Sequence, residues 1–335
     1  MNCRLNCSAL HATETVMALP KSRRLDFTEI PVVDISKLVA GDDDSATIDA
    51  IGTACRNIGF VYVKNHGVAP ELIDNVLAAS GEFFSRPMED KNKVVLDERL
   101  RGYLPLRYRS YEGEDNAATS NQEGFWMGTQ RPLNPANRLD GPNVWPENGD
   151  ALRNAMETYY TAASGLAGHL QRAFSLALGQ ESDFFARMFD RQQSLLKVNH
   201  YPPQDNPTSV SDIGVVPHSD EGGFTILWQD ETGGLEIESK SGEWVVAPPL
   251  PGTYVINLGN AMQIWTNGEF SSTPHRVINR YGADRYSVPF FAYPRWDTPM
   301  KPLFDDTDDD GDVEICEAYQ VRKWRRIFPI ANIPA

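Results

Sequence analysis

The stretch from Asn199 to Phe291 holds His218-Ser219-Asp220, then His275, then Arg285-Tyr286-Ser287, each on a segment that reads as β-strand. Successive side chains of a strand alternate faces, so residues i and i+2 point the same way, about 6.6 Å apart along the chain. His218 and Asp220 can therefore close on one ion. A third ligand, His275, arriving from a distant strand would complete two imidazoles and one carboxylate on a single face of a metal. The remaining coordination positions would stay open for other ligands.

Outward from these residues the pattern is one of short strands. After Leu195 the apolar period changes from helical to alternating, with strand candidates Leu195 to Tyr201, Gly223 to Gln229, Leu235 to Glu238, Trp244 to Ala247, Tyr254 to Leu258, Met262 to Trp265, His275 to Asn279 and Tyr286 to Ala292. Turn signals separate them: Gly233-Gly234, Ser241-Gly242, Pro251-Gly252, Asn267-Gly268 and Gly282. Short strands at such spacing imply a sandwich or barrel, and a double-stranded β-helix (jelly roll) encloses a cavity into which alternate side chains project. The fold class expected is mainly β with flanking helices.

Upstream the elements are mixed. Residues 1–27 read as a disordered N-terminal extension with a weak organelle-targeting character, and Met17 is a possible internal start. Residues 28–130 read as an α/β region that begins with a strand at Ile30-Pro31-Val32-Val33-Asp34. There Ser45 is expected to cap a helix carrying Ile48, Ile51, Cys55 and Ile58, which Gly59 ends. A strand at Phe60-Val61-Tyr62-Val63 follows, then a helix opening at Pro70. Residues 131–194 supply a Pro- and Asn-rich connection and a long helix with Leu152, Met156, Tyr159, Ala163, Leu166, Leu170 and Phe174 on one stripe. The jelly-roll core is placed at 195–300, with an acidic loop and C-terminal helix at 301–335.

Composition narrows the function classes. The 335 residues are 41% hydrophobic, enough for a sizeable core, and no run of 18 or more apolar residues predicts a membrane span. Lys+Arg 31 against Asp+Glu 46 gives a formal charge of −15, which repels nucleic-acid phosphates and anionic lipid surfaces. The four cysteines, Cys3, Cys7, Cys55 and Cys316, show neither metal spacing nor the density of a secreted scaffold. A small-molecule partner in a reducing, cytoplasmic setting is the expectation.

Two imidazoles and a carboxylate form the ligand set of non-haem Fe(II) oxygenases. The order of motifs also resembles a known family, the isopenicillin N synthase-like branch of the Fe(II)/2-oxoglutarate-dependent dioxygenases, over roughly residues 28 to 328. Ile30-Pro31-Val32-Val33-Asp34, Gly59-Phe60 to Asn65-His66-Gly67, and Asn199-His200-Tyr201-Pro202-Pro203 match its hallmarks. So do His218-Ser219-Asp220, Gln229-Asp230, Gly233-Gly234-Leu235, Asn257-Leu258-Gly259-Asn260, Gln263 to Gly268, His275-Arg276-Val277 and Arg285 to Phe291.

The resemblance implies that His218, Asp220 and His275 bind Fe(II), and that Arg285 and Ser287 hold the distal carboxylate of 2-oxoglutarate. A guanidinium offers a carboxylate a forked pair of charge-assisted hydrogen bonds, and Ser287 adds a hydroxyl on the same face. It also places Asn199 and Tyr201 near the co-substrate, with His200 between them facing away. The implied reaction uses O2 and releases succinate and CO2. It hydroxylates, desaturates or closes a ring in a small molecule, in keeping with specialised metabolism. A 2-oxoglutarate-independent iron oxidase of the same fold and a non-catalytic jelly-roll binding module are the alternatives.

The substrate pocket is expected to draw on Tyr103, Phe125, Trp126 and Phe291, because small-molecule sites are mostly apolar and aromatic. Phe291 shares strand parity with Arg285 and Ser287. Arg101 and Arg107 are candidates either for pairing an acidic substrate or for surface solvation, and His66 and His169 read as packing. Asp306, Asp308, Asp310, Gly311 and Glu317 fit a calcium-loop pattern, although Pro299 and Pro302 oppose the entering helix that such a loop needs.

Overall fold

A computed structural model describes residues 22–24, 30–106, 120–203, 213–279, 282–304 and 312–328. The described residues begin inside the expected extension. Strand β1 (Arg23–Arg24) pairs in parallel with Trp244–Val246, and Ser22 Oγ donates to Glu236 at 2.8 Å. Next come β2 (Val32–Asp34), α1 (Ser36–Val39) and α2 (Ser45–Asn57). Asp44, rather than Ser45, caps α2: its carboxylate accepts the Thr47 N–H at 3.2 Å and the Thr47 hydroxyl at 2.8 Å. Ser45 is the first helical residue, and an aspartate serves that capping role equally well. Gly59 follows at φ +68°, where a Cβ would sit 1.9 Å from the Ser271 carbonyl oxygen, so only glycine fits.

The chain continues through β3 (Phe60–Lys64), α3 (Pro70–Phe84, with Pro70 in its first turn) and α4 (Met88–Asn92). Strands β4 (Gly102–Leu104) and β5 (Glu123–Gly128) precede the long α5 (Asp150–Ala177) and the short α6 (Phe184–Met188). Then come β6 (Leu195–Tyr201), β7 (Val215–His218), β8 (Phe224–Gln229), β9 (Leu235–Glu238), β10 (Trp244–Val246) and β11 (Thr253–Leu258). Helix α7 (Asn260–Trp265), β12 (His275–Val277), β13 (Arg285–Ala292) and α8 (Cys316–Ile327) complete the order.

One expected strand is a helix. Met262 to Trp265 lies in α7, where Ala261, Met262 and Trp265 are the buried positions, a helical rather than alternating spacing. A four-residue apolar run cannot distinguish the two periods. Conversely, β5 carries no alternation because all six of its residues are buried, one face against the helices and the other toward the cavity.

Among the described residues the strands form two sheets. The larger runs β2-β3-β11-β8-β13-β6-β5-β4 and the smaller β1-β10-β9-β12-β7. The outer face of the larger sheet, with Phe125, Val198, Phe224, Ile226 and Phe290, packs on the α5 stripe of Met156, Tyr159, Leu166, Leu170 and Phe174. Phe174 meets Phe224 edge-on at 5.2 Å. Each such side chain contributes about 1.5–3 kcal/mol by leaving water. Period-2 alternation sends the intervening residues to the inner face: Lys197, Asn199 and Tyr201 of β6, and Arg285, Ser287, Pro289 and Phe291 of β13, line a cavity shared with β7 and β12. The architecture is the expected jelly-roll core with flanking helices.

Candidate active site

Strand β7 ends at His218, and β12 begins at His275, its direct cross-strand partner. That register brings the two imidazole centroids to 4.3 Å. Asp220 lies two residues past His218, beyond the end of the strand, and its Oδ1 is 3.8 Å from His218 Nε2 and 3.9 Å from His275 Nε2. One ligand atom from each of the three lies within 4.8 Å of the other two, so they converge closely enough to be candidate ligands of one metal.

Other atoms of the same three side chains make hydrogen bonds around the cluster. His218 Nδ1 donates to the Val216 carbonyl at 2.9 Å and His275 Nδ1 to the Thr273 carbonyl at 3.3 Å, which fixes the tautomer that leaves each Nε2 a lone pair. Asp220 Oδ2 accepts from Thr225 Oγ1 at 2.5 Å and from Asn257 Nδ2 at 2.8 Å. Burial pushes the Asp220 carboxyl up, but His275, His218 and these two hydrogen bonds outweigh it and hold it below its ordinary value. A carboxylate kept ionised beside two imidazoles suits a divalent cation. Thr225 and Asn257 were not singled out as site residues from sequence, although Asn257 sits in a quoted family segment.

Arg285 is fully buried at 0% exposure. Its Nε donates to the Gly233 carbonyl and its guanidinium carbon lies 4.5 Å from the Tyr201 ring centroid. Nη1 and Nη2 have no partner among the described residues. Leaving a buried cation unpaired is costly, and two parallel N–H groups match a carboxylate. Asn199 Nδ2 donates to Ser287 Oγ at 3.1 Å, and Asn199 Oδ1 is buried without a partner among the described residues. This donor set fits a dicarboxylate such as 2-oxoglutarate in the cavity that also contains His218, Asp220 and His275.

The four aromatic pocket candidates divide. Trp126 and Phe291 line the cavity and stack at 5.6 Å and 15°. Tyr103 and Phe125 do not: the Tyr103 hydroxyl donates to Glu123 at 2.6 Å, and Phe125 packs on Phe83 at 5.0 Å and Trp145 at 5.6 Å in the helix-backed core. Phe125 and Trp126 are adjacent on one strand, so alternation allows only one of them to face the cavity. Gln122, Lys197, and Trp324, Ile327 and Phe328 from the end of α8 also line it and were missed. Lys197 shares strand parity with Asn199 on β6, a signal that was legible.

Other candidates lie elsewhere. Arg101 is buried at 3% exposure, donating to the Arg99 carbonyl at 2.7 Å with its guanidinium over Gly128, so it is neither a surface charge nor part of the cavity lining. Arg107 is outside the described residues. His66 packs against Tyr254 at 4.4 Å, and His169 sits half-buried on α5. His200 faces away from the cavity, between Glu123 at 2.8 Å and Asp284 at 2.7 Å. Of the calcium-loop pattern, Asp306, Asp308, Asp310 and Gly311 fall outside the described residues, and the Glu317 carboxylate is gripped by Arg138 at 2.6 and 3.1 Å.

Comparison with known proteins agrees with this geometry. The family described as "non-haem dioxygenase in morphine synthesis N-terminal" matches residues 30–148, and the "2OG-Fe(II) oxygenase superfamily" matches residues 192–294. Homoarginine-6-hydroxylase 2-ODD-C23.1 of Arabidopsis thaliana is 32% identical, over 83% of this chain and 88% of that protein. The crystal structure of a full-length Neurospora crassa protein in complex with alpha-KG superposes with TM-score 0.77 at 26% identity, covering 88% of this chain and 96% of that one. JOX2 in complex with 2OG, Fe and JA gives TM-score 0.74 at 30% identity, covering 89% and 85%. No helix among the described residues is long and apolar enough to cross a membrane. Fold, motif order and relatives converge: the chain belongs to the Fe(II)/2-oxoglutarate-dependent dioxygenases and is an oxidoreductase that uses Fe(II), 2-oxoglutarate and O2.

Proposed function

We propose that His218, Asp220 and His275 hold the Fe(II), and that Arg285 and Ser287, with Asn199 and Tyr201, seat 2-oxoglutarate, so that a small molecule entering past Trp126 and Phe291 is oxidised. The observation that carries the reading is Arg285: a fully buried guanidinium whose two Nη groups lack any partner among the described residues, in the same cavity as two imidazoles and an ionised carboxylate. Bound there, the metal and co-substrate supply the oxidising equivalents drawn from O2, with 2-oxoglutarate leaving as succinate and CO2.

The protein's part is positioning. Thr225 and Asn257 tie down one Asp220 oxygen and leave the other to the metal. Gly233 and Tyr201 hold Arg285 with its fork turned to a carboxylate. Asn199 steadies the Ser287 hydroxyl. Trp126, Phe291, Trp324 and Phe328 wall the cavity with apolar surface that limits water around the reacting centre.

Whether the product is hydroxylated, desaturated or cyclised follows from where the substrate's C–H bond lies against that centre. Specialised metabolism is the setting that the relatives support, and the buried free thiols of Cys55 and Cys316 support a cytoplasmic one. The test is stoichiometry. With a turned-over substrate, one succinate should form per O2 consumed, and Arg285→Ala should lose both. Oxygen uptake that persists without 2-oxoglutarate would select the co-substrate-independent oxidase instead.

A further inference from the structure

Resting on that assignment, we propose that the cavity end away from Arg285 recognises the carboxylate of an aromatic or planar carboxylic-acid substrate, through the Lys197 ammonium, the Gln122 amide and the Trp126 indole N–H. Register separates the two ends. On β6, Tyr201 pairs with Arg285 and Asn199 with Ser287, whereas Lys197 lies two residues beyond Asn199 and pairs with Trp126 of β5. Lys197 and Tyr201 are thus about 13 Å apart along the strand on the same face. One cation serves the co-substrate, and the second falls beyond its reach.

Three features make the Lys197 end a built site. First, Lys197 is only 2% exposed, and its Nζ sits 5.0 Å from the Trp126 ring centroid. Second, room is made for it: a Cβ on Gly124 would come to 2.6 Å from Lys197 Cε and 3.5 Å from Nζ, so the absence of a side chain there lets the lysine lie across β5. Third, Gln122 is 1% exposed with both amide atoms unpartnered, and Trp126 Nε1 is buried and unpartnered among the described residues.

The unpartnered Trp126 indole N–H donates only, so the ligand group that meets it is an acceptor, and the Lys197 ammonium beside the same ring favours a negatively charged one. A carboxylate offers two oxygens to share among Lys197, Gln122 and Trp126, and its charge complements the lysine. The Trp126–Phe291 stack and the edge of Phe328, 6.2 Å from Trp126, present apolar surface to the body of such a substrate. Glu221, which lines the same cavity as Asp220, accepts from the Tyr293 hydroxyl at 3.4 Å, and a ligand recognised by it would carry an ammonium instead.

The experiment is a calorimetric titration of the anaerobic protein loaded with Fe(II) and 2-oxoglutarate, using phenylacetate, phenylacetamide and 2-phenylethylamine as probes. Phenylacetate should bind at least about tenfold more tightly than the neutral amide. Lys197→Met should abolish that preference and Lys197→Arg should retain it, with 2-oxoglutarate binding unchanged in both. Equal binding of acid and amide, no acid binding at millimolar concentration, preference for the amine, or an acid preference that survives Lys197→Met would each overturn the proposal. Failure of the wild-type protein to take up 2-oxoglutarate is a separate outcome that strikes the co-substrate assignment itself, and this inference with it.

Discussion

The guanidinium carbon of Arg285 lies 4.5 Å from the ring centroid of Tyr201, its cross-strand neighbour on β6, while Nε donates to the Gly233 carbonyl. Those two holds leave Nη1 and Nη2 as a fixed fork. A lysine there keeps the charge and loses the fork, so Arg285→Lys should weaken 2-oxoglutarate binding by about 10- to 100-fold, the worth of one charged hydrogen bond. Direct titration of 2-oxoglutarate checks this, and metal affinity should stay unchanged.

Asp220 Oδ2 is held by Thr225 and Asn257, neither of which is a metal-ligand candidate. Thr225→Val and Asn257→Leu should each lower Fe(II) affinity about 10- to 100-fold by freeing the carboxylate to rotate. Asp220→Ala should abolish it. Competition against a calibrated chelator measures all three, and unchanged affinity in the first two would assign the hydrogen bonds to packing alone.

Binding to the folded state alone raises stability. At a metal concentration about 100 times Kd, Fe(II) should add about 2.7 kcal/mol, a rise of a few degrees in melting temperature. A chelator should remove that increment from the wild-type protein and leave His275→Ala unmoved. Thermal scans under nitrogen read both.

A pH dependence arises on the other face of β6. His200 is stacked on Tyr286 at 4.8 Å and Phe84 at 5.4 Å. Burial draws its pKa down, but hydrogen bonds to Glu123 and Asp284 and their charges outweigh it, and the value lies above the ordinary 6.5. A raised folded pKa stabilises fully below about 6.5, and the contribution is lost as pH rises from there through the raised value. Urea unfolding midpoints of wild type minus those of His200→Gln should therefore shrink between about pH 6 and the alkaline side of that titration. A difference that grows with pH would reverse the sign and the assignment.

Much of this was readable because strand parity is a rigid rule. Given β6 and β13, alternation alone places Asn199, Tyr201, Arg285, Ser287 and Phe291 on one face and His200 on the other. The same rule applied to β5 would have removed Phe125, but Glu123–Gly128 is buried throughout and gave no alternating signal by which to recognise a strand. Met262–Trp265 misled because four apolar residues fit either period. Asp44 and Ser45 are both capping residue types, and only geometry separates them. Arg101 read as either a partner for an acidic substrate or a surface charge because sequence does not show that its guanidinium is buried against the Arg99 and Leu100 carbonyls. The end of α8 was missed because the entry of Trp324 and Phe328 into the cavity depends on tertiary docking, not on local pattern.

The central claim is that three side chains from β7, the turn after it and β12 make one iron site beside the Arg285 carboxylate fork. The most direct measurement is an anaerobic visible titration of 2-oxoglutarate into Fe(II)-loaded protein. A weak charge-transfer band saturating at one equivalent, absent in Asp220→Ala and right-shifted to higher concentration in Arg285→Lys, is the predicted result. A wild-type protein that shows no band, or an Asp220→Ala variant that shows the same band, would contradict it.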